Sequence, residues 1–484
     1  MSHTENKTGH RFPHNVNVLS DEDTERIIDC ALDLVWDHGV KFDPHPRAYE
    51  LLAAAGCEVS PEGLVKFPKT LVEDCLAYAG KHTRIWDRSG TDFCELSPEN
   101  TIFEADGSCP NFIDPISGER RPGTEKDLAT AVRVADALEN VDAVGYPCFI
   151  NEKPGAPGEV AAFVTMVRNT TKPLVYGTQY VKPLKTAIQI SAAIRGSIKQ
   201  LQEKPYFVYW VPPLPFYFPS NSTEQLFMLA ENSIPMVIGC APIGGISGPI
   251  TIAGDIANGL ATSFAGITLA QLINKGCFCM EGSLPAFIDP STGSISAIPE
   301  VGMANMARTY INRSLGFPSL NATAGLSLNP QFNQEAACVA AISMMQAMCC
   351  PSNLYLGLGS IETSLTYSLQ HLLLCDELVG LFRRMWMGIN TDDTHLATDV
   401  TKDVGIDGLF TLHLHTADHC RSEIWQTKYF KGSTMEEWEK CGKPDLIDKI
   451  NQDLVSILET HRPEPLGDKI LEKIDDILNQ NVNT

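Results

Sequence analysis

Residues 205–218 read Pro-Tyr-Phe-Val-Tyr-Trp-Val-Pro-Pro-Leu-Pro-Phe-Tyr-Phe, seven aromatics and four prolines in fourteen positions with no charge. The first half predicts a strand, because aromatic and β-branched residues fit a pleated, half-buried surface and a proline at the first position removes no ladder donor. The proline-rich second half predicts a stiff loop. Similar short apolar runs stand at 143–149, 173–177, 235–240, 276–281, 318–323, 353–358 and 404–410, several of them entered through a proline. Helical spacing fills the intervals at 158–167, 185–198, 223–232, 255–275, 299–315 and 334–348. Strands alternating with helices make βαβ units and a parallel sheet, and eight strands are what a closed barrel needs. The expected fold is α/β: a (β/α)8 TIM barrel at 126–425, an N-terminal cap region at 1–125 and a C-terminal helical extension at 426–484. An open doubly wound sheet is the alternative. No Gly-x-Gly-x-x-Gly opens a helix, and Gly244-Gly245-Ile246-Ser247-Gly248 has another spacing, so neither a dinucleotide nor a nucleoside triphosphate site is supported.

The 484 residues hold 37 Lys and Arg against 59 Asp and Glu, a net charge of −22. Such a balance speaks against nucleic acid or an anionic membrane surface as partner. The polar start MSHTENKTGHRF has no apolar core of a secretory leader. The two long uncharged stretches, 232–254 and 336–361, are broken by Pro235, Pro242 and Pro249 and by Pro351, Gly357 and Gly359, so no membrane span is expected. Fifteen cysteines without disulfide-like spacing point to a reducing cytoplasm. Near the end, Leu446, Ile450, Leu454 and Leu458 form one helical stripe and Ile470, Ile474 and Ile477 another, suited to packing on the barrel or on a further copy in a homo-oligomer.

Function in such a barrel collects at the carboxyl ends of the strands. The residues delivered there are Tyr176, Thr178 and Gln179, then Tyr209 and Trp210, Glu281, Asn321 and Thr323, and Leu358. Aromatic faces around a cavity attract a cation, and a quaternary ammonium suits such a box because it offers no hydrogen bonds. Ordinary core packing is the blander account of the same rings. Residues 411–421 hold His413, His415, His419, Cys420 and Arg421. His415 and His419, four apart on a helix, would share a face and with His413 could bind zinc. Structural histidines explain them equally, since no His-Glu-x-x-His is present. Arg421 suits a substrate carboxylate or its neighbour Glu423. A serine hydrolase fails by motif, for Ser247 lies one residue outside Gly-x-Ser-x-Gly.

The segment Gly244-Gly245-Ile246-Ser247-Gly248-Pro249-Ile250-Thr251-Ile252-Ala253-Gly254, continuing to Leu269-Ala270-Gln271, resembles the trimethylamine methyltransferase superfamily. Further matches are Ile113-Asp114 to Arg121-Pro122-Gly123-Thr124, Gln334-Glu335-Ala336, and His415-Thr416 with His419, Arg421, Glu423 and Trp425. The resemblance implies a (β/α)8 barrel that passes a methyl group from an amine nitrogen to the Co(I) of a corrinoid (cobalamin) on a separate protein. Founding members carry pyrrolysine inside the barrel; in Leu356-Gly357-Leu358-Gly359 an ordinary Leu358 takes that position, as in members associated with quaternary amines such as glycine betaine. A quaternary nitrogen departs as a neutral amine and needs no electrophile, so no metal is expected on this chain. On this reading Tyr176, Tyr209, Trp210, Phe216 and Tyr355 form the cage, His413, His415 or Arg421 holds a betaine carboxylate, and Glu281 and Gln334 are further polar contacts. The rivals are a zinc-dependent methyltransferase or hydrolase using His413, His415 and His419, and a non-catalytic betaine-binding protein.

Overall fold

The computed structural model describes residues 16–295 and 298–482. The N-terminal stretch examined above for a leader lies outside them. The first described helix shows how literally the sequence is followed. Ser20 accepts a hydrogen bond from the Asp23 amide, Asp21, Glu22 and Asp23 occupy the electropositive first turn, and α1 (Asp21–Asp37) buries Ile27, Ala31, Leu32 and Val35 at helical spacing.

Eight parallel strands form one sheet: β1 (Ile102–Ala105), β2 (Ala143–Val144), β3 (Leu174–Gly177), β4 (Phe207–Val211), β5 (Met236–Ile238), β6 (Cys279–Glu281), β7 (Leu320–Asn321) and β8 (Leu354–Tyr355). They pair in chain order with β1 beside β8, and a parallel bridge from Glu281 to Ser319 joins β6 to β7 and closes the ring. Each strand is followed by a helix: α2 (Glu125–Ala137), α3 (Ala156–Asn169), α4 (Val181–Arg195), α5 (Ser220–Glu231), α6 (Ile252–Ile273), α7 (Ile298–Ser314), α8 (Gln334–Cys349) and α9 (Leu369–Trp386). This is the TIM-barrel arrangement.

Two strand assignments made from the sequence are corrected. The run at 404–410 is no strand, since Thr398–Val404 is helical and Phe410–Leu412 is a single 3-10 turn, with Leu409, Phe410 and Leu412 exposed. The place it was given belongs to Ile102–Ala105, inside the stretch read as cap, so the barrel begins before residue 126. An apolar run becomes a strand only where a neighbouring edge is free, and this ring is already complete at β8.

An antiparallel hairpin, Thr83–Trp86 with Phe93–Leu96, plugs the amino end of the barrel: Ile85, Cys94 and Leu96 join Ile102, Val175, Val208, Val237, Met280, Leu320 and Leu354 in one buried cluster. At the carboxyl end two small sheets raise the rim. One pairs Ile243–Gly244 with Ala286–Phe287, and the other orders Ser360–Ile361, Thr366–Tyr367, Asn111–Ile113 and Arg120–Pro122. α6 is long and apolar enough to cross a membrane by composition, but its side chains are buried within the protein. The C-terminal helices α11 (Leu446–Thr460) and α12 (Asp468–Val482) lay their apolar stripes on the barrel, α11 against α2 and α9 and α12 against α4.

The seam between β6 and β7 rests on side chains. Arg308 of α7 donates to Glu281 Oε2 at 2.5 Å and also to the carbonyl of Leu320 on β7, while Asn312 donates to Glu281 Oε2 at 2.7 Å and Ser263 to Oε1 at 3.0 Å. Removing one partner of a fully buried ion pair leaves an uncompensated charge. Arg308→Met is therefore expected to cost about 3–5 kcal/mol, read as a lowered urea midpoint, and Arg308→Met with Glu281→Leu should recover part of the loss; an unchanged midpoint in the single variant would remove the seam from the stability of the fold.

Candidate functional site

Alternation along β1 places the residue the sequence reading missed. Ile102 belongs to the cluster inside the barrel and Phe103 and Ala105 to the layer between sheet and helices, so Glu104 points inward. Its side chain is fully buried, and among the described residues neither carboxylate oxygen has a hydrogen-bond partner. Gly145, just beyond β2, makes the room: a Cβ there would lie 1.9 Å from Glu104 Oε1. Burial first, and the neighbouring Asp106 second, hold the Glu104 carboxyl well above the usual carboxylate range. Asp106 follows at the mouth, where its Oδ1 accepts the amides of Tyr146 at 2.9 Å and Ser108 at 3.2 Å. Surrounded on all sides by protein yet keeping part of its surface open, as a group lining a hollow does, Asp106 is pushed up to about 6 by burial, against the lowering by those amides.

Of the five rings expected to form a cage, the structure brings one to the lumen. Trp210 packs against the interior cluster, its Nε1–H fixed on the carbonyl of Gly239 at 3.0 Å. Tyr176 and Tyr209 are paired across β3 and β4 and face the helices: Tyr176 packs on Phe163 and donates to the Glu159 carbonyl at 2.8 Å, and the Tyr209 hydroxyl meets Thr178 Oγ1 at 2.7 Å. Tyr355 stacks on Phe103 at 5.1 Å and donates to the Ala347 carbonyl. Phe216 lies edge-on to His38, the residue that caps α1, at 4.9 Å, outside the barrel. The aromatic run 205–218 is thus mostly the layer between sheet and helices, and the five-ring cage is not assembled.

The other expected contacts also separate. Glu281 is consumed by the seam, and Gln334 is exposed at the first position of α8. Leu358 is buried with the outer layer, whereas Leu356 joins the lumen cluster. His413, His415 and Arg421 lie at the opposite end of the molecule. α10 (Leu414–Glu423) is held by Arg384 of α9, which donates to the Glu423 carbonyl at 2.9 Å, and the adjacent Arg383 pairs with Asp142 at the amino end of β2. There the His413 ring nitrogen Nδ1 accepts the His415 amide as a helix cap, and the His415 and His419 rings pack at 4.3 Å. Among the described residues no group of three His, Cys, Asp or Glu stands close enough to hold a metal ion.

Beside the lumen, over β5, β6 and β7, lies a cavity of about 280 Å³ whose walls, among the described residues, carry no charged side chain. Ala241, Leu284, Ala286, Ala322 and Leu326 supply its apolar surface and Asn305 and Gln346 neutral polar groups. Leu284 and Ala322, which line the cavity, also pack against the interior cluster, as Trp210 does. Close by, Asp255 in the first turn of α6 is buried with both oxygens unpartnered and pushed up to about 7 by desolvation; Gly248 of the glycine-rich loop covers it, a Cβ there falling 2.1 Å from Oδ1.

A closed parallel barrel with orphaned carboxylates and a cavity at the carboxyl ends of its strands defines a (β/α)8 enzyme site. The model of the trimethylamine methyltransferase (MTTB) family matches residues 2–483, and the chain belongs to that family. It is similar to a trimethylamine methyltransferase of Desulfitobacterium hafniense, 27% identical over 473 residues covering 96% of this chain and 93% of the relative. It is also similar to a glycine betaine methyltransferase of Desulfitobacterium hafniense, 24% identical over 468 residues, 96% of this chain and 97% of the relative. The solved monomethylamine methyltransferase of Methanosarcina barkeri superposes with a TM-score of 0.49 at 12% identity, over 99% of this chain and 96% of that one. The chain is thus a methyltransferase of this family.

A carboxyl whose folded-state pKa is raised makes the protein hold its proton longer than the unfolded chain does, so its contribution to stability falls as pH rises from the ordinary carboxylate range through the raised value. Glu104→Gln should therefore be at least as stable as the parent at pH 8, with the difference shrinking towards pH 5, measured by thermal unfolding across that range. A variant that is destabilised most at pH 8 would show that the carboxylate is paired after all.

Proposed function

We propose that the chain binds a quaternary amine over the strand ends, with Glu104 and Asp106 facing its charge and Trp210 its methyl groups, and gives one methyl to a corrinoid carried by a separate protein in the cytoplasm. Family membership and the curated relatives support methyl transfer from an amine. The single observation that carries the charge of the substrate is Glu104, a buried carboxylate left without a donor in the lumen. Burying such a group is costly unless a partner arrives with the substrate. A permanent cation satisfies a carboxylate without presenting a hydrogen bond, and a ring face adds about 2 kcal/mol for a desolvated cation.

The corrinoid, when docked, supplies the reduced cobalt that accepts the methyl. The cavity lies between the two rim sheets, flanked by Ile243 and Ala286 on one side and Thr363 and Ser364 on the other. This fits an acceptor that enters from outside. What the chain contributes is placement. Trp210 is held by its bond to Gly239, the carboxylates fix the nitrogen, and the hydrophobic interior keeps water from the reacting bond, so the rate comes mainly from orientation. A quaternary nitrogen leaves as a neutral amine, and the ordinary Leu356 and Leu358 beyond β8 suffice.

The test mixes the protein with a reduced corrinoid carrier and a panel of methylated amines and follows the corrinoid spectrum. Glu104→Gln is expected to lower kcat/KM by about thirtyfold or more, the loss of one buried charge partner; an unchanged value overturns the reading. Because a quaternary amine does not titrate, the pH profile of its binding reports the protein alone. Affinity should rise with pH through about 6 as Asp106 gives up its proton, and a flat titration profile between pH 5 and 8 would exclude it.

A further inference from the structure

The carboxylates of Glu104 and Asp106 occupy the side of the mouth where the ammonium is placed, and the basic groups around that mouth are already committed. Arg308 is spent on Glu281 and the Leu320 carbonyl, Arg120 pairs with Glu362 at 2.9 Å, and Arg121 pairs with Asp127 at 2.5 Å and Asp114 at 3.3 Å. His413, His415 and Arg421, the groups that suited a betaine carboxylate, sit with α10 near the amino end of the barrel. A carboxylate one or two carbons from the nitrogen would thus be drawn into a site with two acidic groups, where these arginines among the described residues are already paired. Like charges brought together in a desolvated site repel by several kcal/mol. What the structure offers the remainder of the substrate is the cavity of about 280 Å³, whose wall residues Leu284 and Ala322 pack on the same interior cluster as Trp210.

Resting on the quaternary-amine reading, we infer that the substrate of this chain is a quaternary ammonium without a carboxylate, whose fourth substituent is an uncharged, largely apolar chain seated in the cavity lined by Leu284 and Ala322. The nitrogen stays against Glu104 and Trp210, and the chain runs toward β6 and β7.

Calorimetric titration of the full-length protein with tetramethylammonium, butyltrimethylammonium and glycine betaine tests this without the corrinoid carrier. Affinity should rise about fourfold for each methylene that enters the cavity, and glycine betaine should bind at least about tenfold more weakly than tetramethylammonium. Betaine binding as tightly as the butyl compound overturns the inference while leaving a quaternary-amine site standing. Failure of all three to bind removes the quaternary-amine reading itself. In Ala322→Leu the gain from tetramethyl to butyl should shrink; an undiminished gain would put the chain elsewhere and refute its seat in this cavity.

Discussion

The barrel closes on a buried ion pair. Between β6 and β7 the backbone contributes a single bridge, Glu281 to Ser319, and Arg308 completes the seam by holding the Glu281 carboxylate with one arm and the Leu320 carbonyl with the other. Ionised groups with no access to water survive only when their partners are close and their remaining hydrogen-bonding positions are filled. Here Asn312, Ser263 and the Ser283 amide fill those of Glu281. Once the ring is closed, side chains must alternate between lumen and helix layer on every strand. Everything said of the site follows from that parity.

Parity also separates two buried acidic residues. Glu281 and Glu104 are both fully buried near strand ends. Glu281 faces outward, where α6 and α7 supply donors, and is satisfied. Glu104 faces the lumen, where Gly145 has been kept bare beside it and no donor reaches. The first has its oxygens filled by its neighbours; burial holds the carboxyl of the second well above the usual carboxylate range. Like Asp255, Glu104 is a buried acid without a hydrogen-bond partner among the described residues, a local cost that function explains better than folding does.

Much of the barrel was legible because its strands announce themselves: a proline step, a short apolar run, then small or polar residues, with helical spacing between. Seven of the eight strands were placed this way, and α3 to α8 lie close to their expected spans. Ile102-Phe103-Glu104 reads as a short strand but is assigned to the N-terminal cap, because Glu104 interrupts the apolar run that marks the other barrel strands. The run at 404–410 misled because composition does not reveal whether a sheet edge is free. The cage failed on a point that was available in principle. Tyr209 and Trp210 are adjacent on one strand and cannot both face the lumen, and Tyr176, in register with Tyr209, must share its side. Which of the two neighbours points inward depends on how the ring closes, and no local pattern carries that.

The histidine-rich segment shows the same limit on a larger scale. Each helix of the barrel returns the chain from the carboxyl to the amino end, so whatever follows α9 starts at the face opposite the mouth. Arg383 and Arg384, at the end of α9, tie this turn to Asp142 and Glu423. Nothing in the composition of residues 411–421 records that direction, although the count of eight strand-helix units does once the first strand is recognised. A barrel that starts at Ile102 must deliver its last helix end, and α10 with it, away from Glu104. The mouth is therefore built almost wholly before residue 369, from strand ends and rim loops.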